Sequence, residues 1–100
     1  MKQTPLYYAA REGKLKVLQF LIDQGMSVNE EDMYRQNPIF YSVSNGKIEA
    51  CKLLHSLGSR HDYIDNNGET PLFYAIKSNR IEVTEWLLNL KCNLFVANNK

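Results

Sequence analysis

Thr-Pro-Leu-Phe-Tyr-Ala at residues 70–75 is the third copy of a motif that recurs along this chain. Thr-Pro-Leu-Tyr-Tyr-Ala occupies residues 4–9, and Asn-Pro-Ile-Phe-Tyr-Ser occupies residues 37–42. The copies begin at residues 4, 37 and 70, so the spacing is 33 residues each time. A fixed period of this length is typical of a stacked repeat array, in which neighbouring copies bury each other's apolar surface.

The agreement between copies extends well beyond the motif. The motif's proline, its second aromatic residue and a later leucine are identical in all three copies. These residues are Pro5, Pro38, Pro71, Tyr8, Tyr41, Tyr74, Leu21, Leu54 and Leu87. A single spacing that matches so many positions establishes an internal repeat.

Each copy predicts two helices. Thr4, Asn37 or Thr70 precedes the proline, and we expect its side chain to accept a hydrogen bond from the helix N-terminus. Left-handed backbone at Gly13, Gly46 and Asn79 should end these short first helices. Second helices are predicted over residues 15–24, 48–57 and 81–90. Gly25 and Gly58 follow the first two, whereas Lys91 follows the third.

A polar stretch between copies ends in a predicted turn. Asp-Asn-Asn-Gly at residues 65–68 favours a tight turn because asparagine and glycine tolerate positive φ. The equivalent Asp-Met-Tyr-Arg at residues 32–35 has no glycine, so its geometry stays open.

From residue 4 onward the chain resembles the ankyrin-repeat family. The resemblance implies an all-α solenoid of stacked helix-turn-helix units with short β-hairpin or turn fingers. It implies one domain over residues 1–100, with repeats at about 1–31, 32–64 and 65–97 and the start of a further finger at 98–100. The family's usual histidine is replaced by Tyr7, Phe40 and Phe73, so the imidazole's hydrogen bond cannot be assumed.

The resemblance also implies a concave groove, lined by the first helices and the finger tips, that binds a protein or peptide. Helical geometry directs Leu6, Ala9 and Ala10 towards the second helix and Tyr8 away from it. We expect Tyr8, Tyr41 and Tyr74, the tyrosine ladder, either to pack between repeats or to contact a partner. Tyr41→Ala should then weaken binding while the domain stays folded. The candidate partner-binding residues are Tyr8, Arg11, Met33, Tyr34, Tyr41, Asn66, Asn67, Glu69, Tyr74 and Lys77.

Two other surface groups have alternative interpretations. Met33 and Tyr34 either form a contact site at the finger tip or pack locally beneath the acidic residues 30–32. Lys14, Lys47 and Arg80 either hold an acidic or phosphorylated segment or form a solvated edge.

The composition excludes several classes of partner. The chain has a net charge of +1, two cysteines and no apolar run near the ~20 residues that cross a bilayer. We therefore expect no nucleic acid or membrane partner and a cytoplasmic or nuclear location. No signal peptide is apparent before the first repeat.

No constellation of residues indicates catalysis, a cofactor or a small-molecule substrate. Glu-Gly-Lys at residues 12–14 lacks the earlier glycine of a phosphate-binding loop. Cys51 and His55 have a spacing that can suit a metal, but they align with packing positions, so no metal is expected. Asn29 resembles the asparagine that is hydroxylated in many ankyrin hairpins.

The third copy carries large apolar residues where a terminal repeat needs a polar outer face. Trp86, Leu88, Leu94 and Phe95 are among them. This predicts a fragment of a longer repeat protein, or ends that meet another chain. Protein binding is the preferred function. The alternatives are a structural spacer in a longer array, or the recognition arm of a multidomain enzyme.

Overall fold

Proline begins the first helix of every repeat. The computed structural model describes the backbone of residues 4–98 and the side chains of residues 4–90. The first helices are α1 (Pro5–Glu12), α3 (Pro38–Ser44) and α5 (Pro71–Lys77). The second helices are α2 (Leu15–Asp23), α4 (Ile48–Ser56) and α6 (Ile81–Asn98). The predicted all-α architecture is confirmed.

The predicted helix starts are right, but the predicted capping is wrong. Thr4, Asn37 and Thr70 have extended backbone before the proline, and none of their side chains makes the capping hydrogen bond. The Asn37 amide instead donates to the side-chain oxygen of Asn29 and the carbonyl oxygen of Arg60, both at 3.0 Å. Bonds to residues eight positions earlier and 23 positions later in the chain have replaced the local cap.

The first helices end as predicted, with φ of 72° at Gly13, 68° at Gly46 and 62° at Asn79. Gly25 and Gly58 also have positive φ and follow the ends of α2 and α4. The prediction for the third copy is wrong, because α6 continues past Lys91 to Asn98. No glycine stands at Lys91 to favour the left-handed turn, so the helix runs on. The predicted exposure of Leu94 and Phe95 falls outside the described side chains.

The segments between repeats, residues 24–37 and 57–70, are called fingers below. Both fingers form the same turn. The N–H of Asp32 donates to the carbonyl of Gln36, and the N–H of Asp65 donates to that of Glu69, each at 3.0 Å. Arg35 adopts a φ of 62° where Gly68 has 75°, so the first finger makes the turn without glycine. Over residues 4–98 the fingers contain turns and no strand.

The repeats stack side by side, with α3 between α1 and α5 and with α4 between α2 and α6. The apolar faces predicted for the first helices are buried in the first two copies. The fully buried core includes Leu6, Ala10, Leu18, Ile39, Val43, Leu54 and Leu87. Ile76 should have been buried by the same reasoning, but it is 61% exposed. It belongs to the third repeat, and the described residues include no following first helix that could cover it.

The three cations considered above, Lys14, Lys47 and Arg80, follow the ends of the first helices. Two of them lie across the junctions between repeats. A Cβ built on Gly13 would lie 3.1 Å from Cδ of Lys47, and one built on Gly46 would lie 2.9 Å from Cδ of Arg80. The Arg80 Nε–H also donates to the carbonyl of Ser44 at 3.0 Å. Two of the three cations therefore pack their aliphatic stems on the preceding repeat, which neither earlier interpretation included.

None of the helices within the described part of the chain combines the length and the apolar character that crossing a bilayer would require.

Candidate partner-binding surface

The tyrosine ladder packs between repeats at two of its three steps. The Tyr41 ring lies 5.1 Å from the ring of Tyr7, and the Tyr74 ring lies 5.8 Å from that of Phe40. Both tyrosines are half-buried. Tyr8 is 56% exposed, since no repeat precedes it among the described residues. Tyr41 and Tyr74 thus pack between repeats, while the ring of Tyr8 is exposed to solvent.

Tyr41 and Tyr74, the two ladder tyrosines that pack between repeats, also form hydrogen bonds to the finger of their own repeat. The Tyr74 hydroxyl donates to Oδ2 of Asp65 at 2.5 Å, and the Tyr41 hydroxyl donates to Oδ2 of Asp32. Both aspartates are buried. Oδ1 of Asp65 accepts from the backbone N–H groups of Asn67 at 2.9 Å and Glu69 at 3.0 Å. One carboxylate thus shapes the finger turn with one oxygen and fixes it to the groove helix with the other.

The electrostatics of this anchor favour the ionised carboxylate. Burial alone raises the pKa of Asp65, but hydrogen bonds from Tyr74, Gln36 and the turn N–H groups outweigh burial and lower that pKa below its ordinary value. The pKa of Tyr74 is raised to about 12, first by burial and then by its bond to Asp65. The anchor therefore consists of a neutral phenol donating to a carboxylate at neutral pH.

Neighbouring fingers are joined to each other. Nε2 of Gln36 donates to Oδ2 of Asp65 at 2.9 Å. The backbone N–H of Asn66 donates to the carbonyl of Tyr34 at 2.9 Å, and its side-chain amide donates to the carbonyl of Met33 at 3.1 Å. The fingers consequently form one hydrogen-bonded edge, in which Asn66 is already engaged.

The finger tip exposes two large side chains. Met33 is 54% exposed and Tyr34 is 53% exposed, while their backbone groups hold the turn and the neighbouring finger. More than half of each side chain faces solvent, which favours the contact-site interpretation over the local cluster. Asn67 is also exposed, and Glu69 is half-buried beside the Asp65 turn.

Arg11 and Lys77, two of the candidate partner-binding residues, lie over aromatic rings. The Arg11 guanidinium carbon is 5.0 Å from the centroid of the Tyr8 ring, and its Nε is 3.4 Å from a carboxylate oxygen of Glu12. Lys77 Nζ is 5.9 Å from the centroids of both the Phe73 and Tyr74 rings. Cation–π contacts of this kind hold each cation against its ring by electrostatic attraction.

Comparison with known proteins agrees with this architecture. A family model described as ankyrin repeats, in three copies, matches residues 6–98. The chain belongs to the ankyrin-repeat family. Ankyrin repeats generally serve as protein–protein interaction modules and are typically non-catalytic.

Solved structures extend the comparison. The human ASB11 ankyrin repeat domain has a TM-score of 0.80 and 31% identity over 87% of this chain. This chain spans only 39% of that domain. No curated protein sequence gives a match.

Tyr7 stands where ankyrin repeats usually have histidine, and it still bonds to the finger. Its hydroxyl contacts the carbonyl oxygen of Glu30, and the carbonyl oxygen of Gln36 lies 3.2 Å away. Phe40 is buried at the same position, and its side chain has no polar atom. The side-chain bond to the finger therefore exists in the first repeat and not in the second.

Asn29 links the first finger to the second. Its amide nitrogen donates to the carbonyl of Gly58 at 3.0 Å. Its amide oxygen accepts from the N–H of Arg60 at 2.8 Å and from Asn37 at 3.0 Å. The residue proposed for hydroxylation thus already has a structural role in this ankyrin stack.

Cys51 and His55 lie in packing environments. Cys51 is fully buried, its Sγ is 3.2 Å from Oγ of Ser42, and burial raises its pKa to about 11. The His55 ring lies 5.6 Å from that of Trp86, in an edge-to-face arrangement. Residues 4–90 contain no group of three possible metal ligands.

The sequence interpretation missed the two aspartate anchors. The signal was available, because each of these aspartates precedes the ladder tyrosine of its repeat by nine residues. Spacing alone could not reveal that the two side chains meet.

Proposed function

We propose that this ankyrin domain binds a protein or peptide along its concave groove, with the ring of Tyr8 and the tip residues Met33 and Tyr34 supplying the main apolar contacts. The observation that carries the proposal is the exposure of Tyr8 on α1 and of Met33 and Tyr34 on the hydrogen-bonded edge that the fingers form. Exposed aromatic area with few rotamers to freeze is common at binding hot spots.

Rigidity supports the same proposal. The fingers are bonded to the groove helices through Asp32 and Asp65 and to each other through Gln36 and Asn66. A surface that is ordered before binding loses little conformational entropy when a partner arrives. Arg11, Asn67, Glu69 and Lys77 complete the proposed rim, and Asn66, Tyr41 and Tyr74 contribute the remaining surface of the groove.

The proposal changes which variant tests the groove. Tyr41→Ala would remove the anchor to Asp32 as well as any partner contact, so loss of binding could reflect a displaced finger. Tyr8 and Tyr34 have exposed rings and no hydroxyl bond that holds the fold, which makes them the better sites.

The experiment needs a probe, and a peptide selected against the wild-type domain from a phage-displayed random library provides one. We expect Tyr34→Ala and Tyr8→Ala each to weaken the peptide's affinity by more than about fivefold, or about 1 kcal/mol. Isothermal titration calorimetry would measure the change, and circular dichroism would verify folding.

Phe20→Ala is the matched control, because Phe20 is also an exposed aromatic residue but lies on α2, outside the groove. The Phe20→Ala variant should bind the selected peptide with the same affinity as the wild type. Equal losses in all three variants, or a loss at Phe20 alone, would place binding elsewhere on the domain.

The spacer alternative is favoured by one observation, namely that the chain spans only 39% of a similar ankyrin domain. A spacer would have no partner of its own. The isolated domain would then fail to yield a groove-binding peptide, and only the longer array would bind.

Two further inferences belong to the proposal. We place the protein in the cytoplasm or nucleus, which agrees with its small number of cysteines. We also propose Asn29 as a modification site, although its side chain would have to leave its bonds to Gly58 and Arg60 to reach an enzyme.

A further inference from the structure

We propose that a hollow between α2 and α4 binds an acidic segment of another protein and takes up one large aromatic side chain of that segment. This hollow, called the outer hollow below, lies in the row of second helices, between the first and second repeats. Both of its walls are formed by described residues. The inference concerns a different surface from the proposed groove and does not depend on the proposed function.

The outer hollow combines apolar and charged residues. It is open to solvent and has a volume of about 470 Å³. Leu15 of α2, which is 39% exposed, and Leu53 of α4 supply its apolar surface. Its charged lining residues are Lys16, Glu49 and Lys52. An apolar surface with a small number of polar groups is the usual character of a ligand site in a protein.

The two junctions between second helices differ in the size of one side chain. Leu53 of α4 has Trp86 of α6 as its equivalent one repeat later. The Trp86 indole reaches across the second junction, where its ring lies 5.6 Å from the ring of His55 on α4. Leu53 is shorter, and the outer hollow lies beside it. The stack thus accommodates an indole between its second helices, and at the first junction a partner would have to supply it.

The surface around the outer hollow carries an excess of positive charge. Four exposed lysines lie on α2 and α4 or immediately before them, namely Lys14, Lys16, Lys47 and Lys52. The same two helices contain two carboxylates, Asp23 and Glu49, and Asp23 accepts a hydrogen bond from Gln19 at 3.0 Å. None of the ion pairs within residues 4–90 involves any of the four lysines. Carboxylates of a partner would therefore find cations that are not yet paired.

These observations specify the chemistry of the partner. A large aromatic side chain would contact Leu15 and Leu53, and acidic residues on either side of it would face Lys16 and Lys52. An ammonium group is also attracted to the face of an aromatic ring, so the lysines would favour both parts of the ligand. The single Glu49 would repel an acidic segment, but the lysines outnumber it. A basic segment would be repelled by the same lysines.

The peptide acetyl-Glu-Trp-Glu-amide is the probe. It would be titrated to about 10 mM into the ¹⁵N-labelled chain while amide shifts are followed by nuclear magnetic resonance. We expect saturable changes at Leu15, Lys16, Lys52 and Leu53, with a Kd on the order of 1 mM for so small a ligand. Acetyl-Lys-Trp-Lys-amide and acetyl-Glu-Ala-Glu-amide are the matched control peptides. Each should bind at least about fivefold more weakly.

Two substitutions in the protein separate the apolar and charged contributions. Leu53→Trp introduces the residue that α6 already has at this position, so it should occupy the outer hollow from within and weaken the probe at least about fivefold. Lys52→Glu should weaken it to a similar extent by reversing one charge. Arg60→Glu makes the same change of charge at an exposed position on the second finger and should bind the probe like the wild type. Circular dichroism would verify that each variant is folded.

Three results would overturn the proposal. One is the absence of saturable shift changes at the outer hollow over the whole titration. The second is a set of changes centred on Tyr8 and Tyr34, which would place the probe in the groove. The third is equal affinity for the basic and acidic peptides, because the lysines would then not select the partner. The library peptide selected for the groove does not enter these titrations, so failure of the groove proposal would leave their outcome unaffected.

Discussion

Leu54→Ala should destabilise the domain by about 2–5 kcal/mol, a large share of the about 5–15 kcal/mol that is typical of a folded domain. Leu54 is fully buried in α4, the second helix of the central repeat, which packs against α2 on one side and α6 on the other. The cavity would weaken both junctions at once, since repeat arrays derive stability from nearest-neighbour interfaces. Urea unfolding followed by far-ultraviolet circular dichroism would measure the change.

Leu88→Ala provides the matched control for this substitution. Leu88 is also in a second helix but is 42% exposed, so its removal should cost well under about 1 kcal/mol. Similar costs at the two leucines would mean that the central junctions are not packed as described.

Asp65→Ala should cost about 2–4 kcal/mol, because it leaves several hydrogen-bond donors without their acceptor. The donors are the Tyr74 hydroxyl, the Gln36 amide and the backbone N–H groups of Asn67 and Glu69. The same carboxylate joins two fingers and a groove helix, so its loss should loosen the whole finger edge. Chemical unfolding would give the free energy, and amide hydrogen exchange would show the loosening.

The effect of pH gives this prediction a second readout. Because the folded-state pKa of Asp65 lies below the unfolded value of about 3.9, its ionised form contributes stability that is complete above that pH. That contribution is lost as the pH falls from about 4 through the folded-state pKa. The stability difference between wild type and Asp65→Ala should therefore shrink in acid.

Asp62→Ala is the control for the aspartate. Asp62 lies on the same finger, and its carboxylate forms a solvent-exposed ion pair with Arg60 at 3.2 Å. Exposed pairs of this kind contribute about 0–1 kcal/mol. If Asp62 and Asp65 proved equally costly to remove, the finger anchor would not have the structural role assigned to it.

Most of the fold followed from the sequence because its determinants are local. Proline at the first helical position and left-handed residues at 13, 46 and 79 set the helix boundaries, and a 33-residue period aligned them. The error at α6 has the same local origin, since Lys91 replaces the glycine that ends α2 and α4. The wrong capping at Asn37 is different, because a tertiary bond to Asn29 replaced a local one.

The candidate surface was less predictable, because it depends on contacts between distant residues. The sequence placed Tyr41 and Tyr74 on the groove, but it could not show that their hydroxyls reach Asp32 and Asp65. Nor could spacing show that Arg80 lies against Gly46, since that contact crosses a junction between repeats. The sequence did not identify a partner, because the exposed side chains that would contact it can vary without changing the fold.

Nuclear magnetic resonance mapping of the selected peptide on the ¹⁵N-labelled domain tests the central claim most directly. The account predicts shift changes along the first helices and finger tips, centred on Tyr8, Met33 and Tyr34, with little change in the outer part of α2 and α4. Changes confined to α2 and α4, with the finger tips unaffected, would contradict it.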